Sequence, residues 1–195
     1  LSNQTLQYPA VGTPTPEEEA LRWLIEEDPA QLNVPTNASR IQQRYALLTL
    51  WFRQPPLTQS GLAKWLNDDE CDWEGVETCT AGAVDFLDLR DDSLQGRIPD
   101  DLGLLTKLTF LIVIDNELTG TIPSSLGLLT ELTILQLGGN SLSGTIPYDL
   151  GDLTALTELS LLINALNGTI PSSLGQLTNL NSFDVGKNPL LSGTI

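Results

Sequence analysis

Residues Leu132 to Pro147 have the sequence Leu-Thr-Ile-Leu-Gln-Leu-Gly-Gly-Asn-Ser-Leu-Ser-Gly-Thr-Ile-Pro, and the architecture follows from this pattern. The same pattern of Leu, Asn, Gly and Ile-Pro recurs every 24 residues across 84–195, as four full units and a truncated fifth. A fixed period of about 20 to 50 residues indicates stacked structural repeats. Because the fifth unit stops before its proline, we expect the natural protein to continue.

Within each unit the residue order predicts a short strand, a turn and a return segment. Apolar and polar residues alternate from Leu132 to Leu137, which is the strand period, so Leu135 and Leu137 face inward. The next recurring residue of the pattern is an Asn, whose amide can donate to and accept from loop backbone inside the stack. That position holds Asn116, Asn140, Asn164 and Asn188, with Asp92 in the first unit.

The rest of each unit argues against a helical alternative. Gly-Thr-Ile-Pro turns the chain, and Pro limits regular pairing there. We expect Leu-Gly-x-Leu-Thr to return along the outer face as a short helical turn or an extended strip. A set of amphipathic helices fits poorly because Gly, Pro and Asn recur inside every unit.

The first part of the chain has a different character. Residues 1–14 lack periodicity and are predicted to be a flexible lead, whereas 15–83 are predicted to form a helical cap over the first repeat. Thr15-Pro16-Glu17-Glu18 is typical of a helix start. The apolar face of this first helix is expected to contain Leu21, Leu24 and Ile25.

A second helix is predicted from another capping pattern, Ser39-Arg40-Ile41-Gln42. Its apolar face is expected to hold Ile41, Tyr45, Leu48 and Phe52, before Pro55 and Pro56 end the helix. Leu62 and Trp65 open a short third element that leads into the loop of the two cysteines.

Composition excludes several functions. The chain has 195 residues, 25 Asp plus Glu against 9 Lys plus Arg, a net charge of -16, and no His. Nucleic-acid binding needs a basic face, so no nucleic-acid partner is expected. The same sign disfavours anionic membrane surfaces, and no apolar run is long enough to span a bilayer. Without His there is no Ser/His/Asp or Cys/His nucleophile pair.

The cysteines and sequons point to the cell exterior. Cys71 and Cys79 would form one local disulfide in a secreted protein, whereas in a cytosolic chain they would be two free thiols. Asn-x-Ser/Thr sequons occur at Asn3, Asn37 and Asn167 and are candidate glycosylation sites. Together they favour an oxidising, extracellular setting.

The repeat unit and the segment between the two cysteines resemble those of a known family. The unit Leu-x-x-Leu-x-Leu-x-x-Asn-x-Leu-x-Gly-x-Ile-Pro resembles the plant-type extracellular leucine-rich repeat of receptor-kinase ectodomains and polygalacturonase-inhibiting proteins. Cys71-Asp-Trp-Glu-Gly-Val-Glu-Thr-Cys79 resembles the family's Cys-x-Trp-x-Gly-Val-x-Cys, with one extra residue before its second Cys. The cap helices resemble those of leucine-rich repeat proteins of diatoms.

The resemblance implies an α/β solenoid: a curved right-handed superhelix with a parallel sheet on its concave side and a disulfide-pinned helical cap. It also implies binding of a protein, peptide or glycan through the concave side, as a secreted or cell-surface recognition or adhesion module. Two alternatives remain open, an inhibitor of extracellular polysaccharide hydrolases and a structural or self-associating wall protein. No cofactor and no enzyme activity are expected.

The strand register predicts which side chains face outward on the concave sheet. Phe86, Phe110 and Ile134 are expected to form one continuous column, because adjacent strands lie about 4.8 Å apart. The contact surface is predicted to contain Phe86, Asp88, Arg90, Phe110, Ile112, Ile114, Ile134 and Leu162. A contiguous apolar patch marks a contact surface more often than chance exposure does.

Acidic residues cluster where the cap meets the first repeats. Residues 68–101 hold twelve Asp plus Glu against two Arg. Asp88, Asp91 and Asp115 are expected near one another at the concave rim, where they could bind Ca²⁺ or steer a basic partner. A solvated acidic face is the favoured interpretation, since the chain lacks an Asp-x-Asp-x-Asp-Gly loop. Glycoside hydrolysis by paired carboxylates is disfavoured because a solenoid surface offers no water-excluding cleft.

Overall fold

The computed structural model describes residues 14–32, 34–52 and 65–193, with the side chains of 34–36 also outside the description. Nearly all of the predicted lead therefore lies outside the described residues, as do Asn3 and Leu62. Two helices come first, α1 (Pro16–Glu26) and α2 (Val34–Phe52), and strands follow. No helix among the described residues is both long and apolar enough to cross a membrane.

Eleven strands are described between Val76 and Ser192. In chain order they are β1 (Val76–Thr80), β2 (Ala83–Asp88), β3 (Gln95–Arg97), β4 (Phe110–Ile112), β5 (Glu117–Thr121), β6 (Ile134–Gln136), β7 (Ser141–Gly144), β8 (Glu158–Ser160), β9 (Ala165–Thr169), β10 (Ser182–Asp184) and β11 (Leu190–Ser192). The concave sheet has the order β1-β2-β4-β6-β8-β10, and all its pairs are parallel except β1 with β2. This arrangement is the predicted right-handed solenoid with a parallel concave sheet.

The return segments form 3₁₀ turns, as one of the two predicted options. They cover Asp100–Leu104, Ser124–Leu128, Tyr148–Asp152 and Ser172–Gln176. Each turn buries one leucine between the sheet and the outer surface, for example Leu126 and Leu150, both fully buried. Complete burial of a leucine side chain contributes about 2 kcal/mol.

A second parallel sheet, which we call the flank sheet, was missed by the sequence analysis. It has the order β11-β9-β7-β5-β3 and contains the Gly-Thr segment that was predicted to be only a turn. Gly144 and Gly168 in this sheet have φ of 75° and 78°. A Cβ on Gly144 would lie 2.9 Å from the methyl of Thr121, and one on Gly168 would lie 3.0 Å from the methyl of Thr145. Glycine therefore allows each turn to stack closely on the one before.

The buried asparagines hold neighbouring turns together. The Nδ2 of Asn140 donates to the carbonyl oxygens of Val113, Leu137 and Gly138 at 2.9–3.2 Å. Its Oδ1 accepts the N–H of Leu118 at 3.0 Å. The other asparagines repeat this scheme in Asn116, Asn164 and Asn188. Every such Asn thus binds its own turn and the turn before it.

This direction explains the exception in the first repeat. Asp92 occupies the Asn position but is exposed rather than buried. No repeat precedes it, so there is no preceding backbone for an amide to bind. The N–H of Leu94 is satisfied from the following turn, by Oδ1 of Asn116 at 2.8 Å.

The cap has an aromatic core beside the first repeat. The rings of Trp51 and Trp65 stack with centroids 4.5 Å apart, and Trp73 lies 5.5 Å from Trp65. The Cys71–Cys79 disulfide is present, and its second half-cystine lies on β1, which pairs with β2. The bridge therefore ties the cap to the concave sheet.

Two predictions about the cap helices were wrong in part. Thr15 and Glu18 do form the capping box. The buried residues of α1, however, are Ala20 and Trp23, whereas Leu21 and Ile25 are 50% and 62% exposed. The face turned inward is the one that brings the Trp23 ring over the buried guanidinium of Arg44, at 5.4 Å.

Helix α2 also begins earlier than the predicted cap at Ser39. It starts at Val34, with Pro35 in the first turn, where a missing N–H costs nothing. A non-helical residue, Asn37, interrupts it near the predicted start. Of the predicted apolar face only Leu48 is fully buried, while Ile41, Tyr45 and Phe52 are half-buried.

A buried charge cluster organises the cap. Arg44 is fully buried and donates to Glu70 and to Asp28, both at 2.8 Å. Arg40 donates to both carboxylate oxygens of Glu70 at 3.0 Å. Burial by itself raises the pKa of Glu70, but the hydrogen bonds from Arg40, backbone, Arg44 and Gln43 together bring that pKa below its ordinary value.

We expect Asn140→Ala to lower the free energy of unfolding by about 3 kcal/mol, because it leaves buried backbone groups of two turns unpaired. Asn179→Ala is the matched control, since exposed Asn179 makes one bond, to the carbonyl of Thr154. Urea unfolding followed by circular dichroism measures both. Equal midpoints for the two variants would contradict the bridging role of the buried amides.

The Glu70 cluster predicts acid sensitivity of the cap. The carboxyl pKa of Glu70 is lower in the folded state, so its stabilisation is complete above about pH 4.5 and is lost as the pH falls through the lower folded value. Glu70→Gln should destabilise the cap by about 3 kcal/mol at pH 7 and flatten this pH dependence. All four Trp residues lie in the cap, so their fluorescence in urea at pH 7 and about pH 3 reports it. An unchanged pH dependence in the variant would refute this role.

Candidate functional site

The concave sheet aligns the predicted contact residues in columns. Phe86 pairs in register with Phe110, and Phe110 with Ile134, as the sequence predicted. The two phenyl rings lie 4.9 Å apart. All three side chains are half-buried, and the column continues into the polar residues Glu158 and Ser182. The apolar part of this column is therefore confined to the cap-proximal half of the face.

A second column runs beside the first, and in it the prediction that Ile112 is a contact residue is wrong. Asp88 pairs with Ile112, and Ile112 with Gln136. Ile112 is only 5% exposed, so it belongs to the packed floor of the face rather than to an accessible contact surface. Asp88 and Gln136 flank it in the adjacent strands.

A third column contains Arg90, Ile114, Gly138, Leu162 and Gly186. Ladder bonds continue to this level, from the Asp115 N–H to the Gly138 carbonyl at 3.0 Å and from the Gly139 N–H to the Leu162 carbonyl at 2.9 Å. Ile114 and Leu162, two of the predicted contact residues, are half-buried and lie on either side of Gly138. Gly138 takes the predicted outward position, but it is buried, and a Cβ on it would lie 3.1 Å from the Leu162 carbonyl oxygen.

Arg90 does not present a free positive charge. Its Nε donates to both oxygens of Asp88 at 2.9 and 3.0 Å, and its Nη2 donates to Oδ2 at 2.6 Å. These bonds, led by the side-chain hydrogen bond from Arg90, hold the pKa of Asp88 below its ordinary value. The remaining charges of the face, on Glu158 and Asp184, are acidic.

The predicted carboxylates at the rim do not form a metal site. Asp91 and Asp115 occupy equivalent positions in successive turns, both with left-handed φ, of 57° and 54°. No group of three or more His, Cys, Asp or Glu side chains within the described residues is arranged to hold a metal ion. The pKa of Asp92 is raised, first by partial desolvation and then by Glu74, Asp88 and Asp91. The cluster is thus an acidic rim.

The two sequons within the described residues lie away from this face. Asn167 is a half-buried residue of β9 in the flank sheet, and Asn37 is half-buried at the interruption of α2. A glycan on Asn167 would leave the concave face open.

Comparisons with known proteins identify the family of this chain. A Leucine Rich Repeat family model matches residues 131–153. The ectodomain of BIR2 from Arabidopsis thaliana is 34% identical, with 76% of this chain covering 80% of that one and a TM-score of 0.67. The chain belongs to the leucine-rich repeat family, in the form found in plant receptor ectodomains. Among curated protein sequences, none matches it.

Two further solved structures have different functions in their names. The plant peptide hormone receptor RGFR1 in complex with RGF2 is 35% identical, with 60% of this chain covering 22% of that one and a TM-score of 0.53. A plant ice-binding protein is 33% identical, with 80% of this chain covering 48% of that one and a TM-score of 0.63. This chain spans about a fifth of the receptor and half of the ice-binding protein.

Proposed function

We propose that the chain is an extracellular recognition module that engages a protein or peptide partner through its concave face. The main support is the Phe86–Phe110–Ile134 column, an aligned apolar strip on a sheet whose charges outside the Arg90–Asp88 pair, on Glu158 and Asp184, are acidic. Aromatic side chains contribute strongly to binding because they bury large area at low entropic cost. The named complex of a related peptide receptor supports a peptide as the partner.

The charges of the concave face favour one class of partner. Arg90 is neutralised by Asp88, so the face offers Glu158, Asp184 and the rim carboxylates. Such a face attracts basic partners and accelerates their association at low ionic strength. The preferred ligand is therefore a basic segment that also carries apolar side chains.

The two alternative functions predicted from the sequence, and the predicted glycosylation, each have a test of their own. An inhibitor of extracellular polysaccharide hydrolases would use the same acidic rim to meet a basic enzyme, and a hydrolase panel without inhibition would count against it. A self-associating wall protein would bury the Phe86–Phe110–Ile134 column between copies. Light scattering that shows a monomer at high concentration would count against that alternative. Glycan occupancy at Asn167 is decided by intact mass before and after glycosidase treatment.

A second function is favoured by the flank sheet. Thr121, Thr145 and Thr169 are exposed and recur at the same position of successive turns, at or directly after the end of a flank strand. The methyls of Thr121 and Thr145 rest on the glycines of the following turns, which holds their side chains in place. No described residue hydrogen-bonds to these three hydroxyls. A rigid, regular hydroxyl array can order water, and a related plant ice-binding protein makes ice the ligand to test.

For the recognition function, the test starts from displayed random peptides selected on the immobilised chain, with affinities measured by fluorescence anisotropy. Phe110→Asp should weaken the selected peptides at least tenfold, roughly the loss expected of a central aromatic anchor. The fold should tolerate it, since Glu158 occupies the same column. Leu128→Asp, at a 60% exposed residue of an outer turn, is the matched control. Equal binding by both variants, or no selectable peptide, would reject the proposal.

For the ice-binding function, thermal hysteresis and ice-crystal shape are measured directly. Thr145→Tyr should abolish most of the activity because it interrupts the array, and the fold should tolerate it, since the equivalent position of the first turn already holds the long Arg97 side chain. Thr130→Tyr, on an exposed outer turn, should have no effect. Unshaped ice with the unaltered chain would refute this function.

A further inference from the structure

A groove in the helical cap lies apart from the concave face. It has a volume of about 650 Å³, and its lining residues come from α1, from α2 and from the segment that joins them. Helix α1 packs on α2, and α2 packs on the first return turn, Asp100–Leu104. The groove therefore belongs to the cap rather than to the strands that carry the Phe86–Phe110–Ile134 column.

The walls of this groove are apolar and open to solvent. Leu21 and Ile25 lie one helical turn apart on α1 and are 50% and 62% exposed. Leu24, Leu32 and Ile41 also line the groove and are half-buried. Side chains at i and i+4 form a ridge on a helix, and such ridges pack against a second helix. The described part of the chain leaves this ridge largely open.

The floor of the groove is held in place by hydrogen bonds. Asp28 is buried, and its Oδ1 accepts the N–H of Ala30 at 2.9 Å and a bond from Nη2 of Arg44 at 2.8 Å. The carbonyl oxygen of Asp28 accepts the N–H of Gln31 at 3.1 Å. These bonds fix the turn after α1. A preformed groove requires less ordering when a ligand binds.

Two carboxylates lie at the end of α1 where a helix favours cations. Glu26 is the last residue of the helix and Glu27 is its C-cap, and the last turn holds no basic residue. Because the C-terminal end of a helix carries a partial negative charge, acidic residues there lower its stability. Arg22 compensates only Glu26, through a bond of 3.0 Å between exposed side chains.

Exposed apolar side chains and carboxylates at the negative end of a helix are both unfavourable for the cap alone, and they coincide here at one end of α1. Local rules are broken in this way mainly at functional sites. A second copy of the chain does not suit the groove, because it would bring the same carboxylates and a net charge of -16. A basic partner would neutralise Glu26 and Glu27.

We propose that the α1 groove, formed by Leu21, Leu24, Ile25, Leu32 and Ile41, is a docking site for a basic amphipathic helix of a protein partner. The apolar face of that helix packs on the ridge of α1, and its Lys or Arg side chains pair with the carboxylates at the end of α1. An amphipathic helix in an apolar groove is a recurrent mode of recognition. This site is a second interaction surface, independent of the proposed concave one.

A displayed library of helical peptides is the probe, with aliphatic residues at i, i+3, i+4 and i+7 and all other positions random. Peptides selected on the immobilised chain should be enriched in Lys and Arg. Ile25→Ser should weaken them about tenfold or more in fluorescence anisotropy, as loss of a central anchor does. Leu128→Ser, at a 60% exposed residue of an outer turn, is the matched control and should bind normally. Circular dichroism checks that both variants are folded.

Glu27→Lys separates binding from stability. A cation at the C-terminal end of α1 should raise the urea midpoint of the Trp fluorescence of the cap. The same variant should weaken the selected peptides about tenfold, and added salt should reduce the difference. Asp149→Lys changes the charge equally at an exposed residue of an outer turn and should affect neither measurement. Equal weakening by both variants would reduce the effect to net charge and overturn the proposal.

The remaining outcomes also decide. Selected peptides that bind Ile25→Ser as tightly as the unaltered chain, or that lack basic residues, would overturn the groove. A synthetic peptide of residues 1–13 that binds more tightly, and only with Ile25 intact, would assign the groove to the chain itself. A lower molar mass of Ile25→Ser in light scattering would assign it to a second copy. Phe110→Asp should keep this binding, so failure of the groove leaves the recognition function standing.

Discussion

The stack depends on one interaction, the buried asparagine amide that joins each turn to the turn before it. Asn140 satisfies backbone groups of its own turn and of the preceding one, and Asn116, Asn164 and Asn188 do the same. Unpaired backbone groups in this interior would cost about 1 to 3 kcal/mol each. The amides therefore fix the register between turns, and that register is what places Phe86 beside Phe110 and Ile114 beside Gly138.

Each asparagine amide donates to the turn before it. The first turn has no preceding repeat, so its end of the stack must be covered in another way. Asp92 is released to the surface, and the cap supplies the missing layer through β1 and α2. The cap holds its own geometry with a buried ion cluster around Arg44, whose guanidinium also lies 4.9 Å from the Trp73 ring. Charge in this region therefore serves two purposes: Glu70 is buried for the fold, whereas Asp91 and Asp115 face solvent.

The sequence predicted those properties that follow from a repeating period. Side-chain direction alternates along a strand, so the column of Phe86, Phe110 and Ile134 could be assigned from spacing alone. Burial could not: Ile112 has the outward direction but is covered by its neighbours. The flank sheet was missed because its glycines adopt left-handed φ, which strand patterns do not signal.

The α1 face shows the same limit of local pattern. Leu21 and Ile25 form an apolar stripe at helical spacing, but the ring of Trp23 has the buried Arg44 as a partner and turns the helix the other way. The diatom resemblance of the cap stays a prediction. What the structure contributes is the concave face as a single surface with an apolar strip and an acidic rim.

The most direct test of that surface is a methyl-resolved NMR titration of the Ile-labelled chain with a selected peptide. We expect shifts at Ile114 and Ile134 on the concave face and none at Ile122 and Ile146, which are buried beside the flank sheet. Shifts confined to Ile122 and Ile146, or a spectrum that does not change, would contradict it.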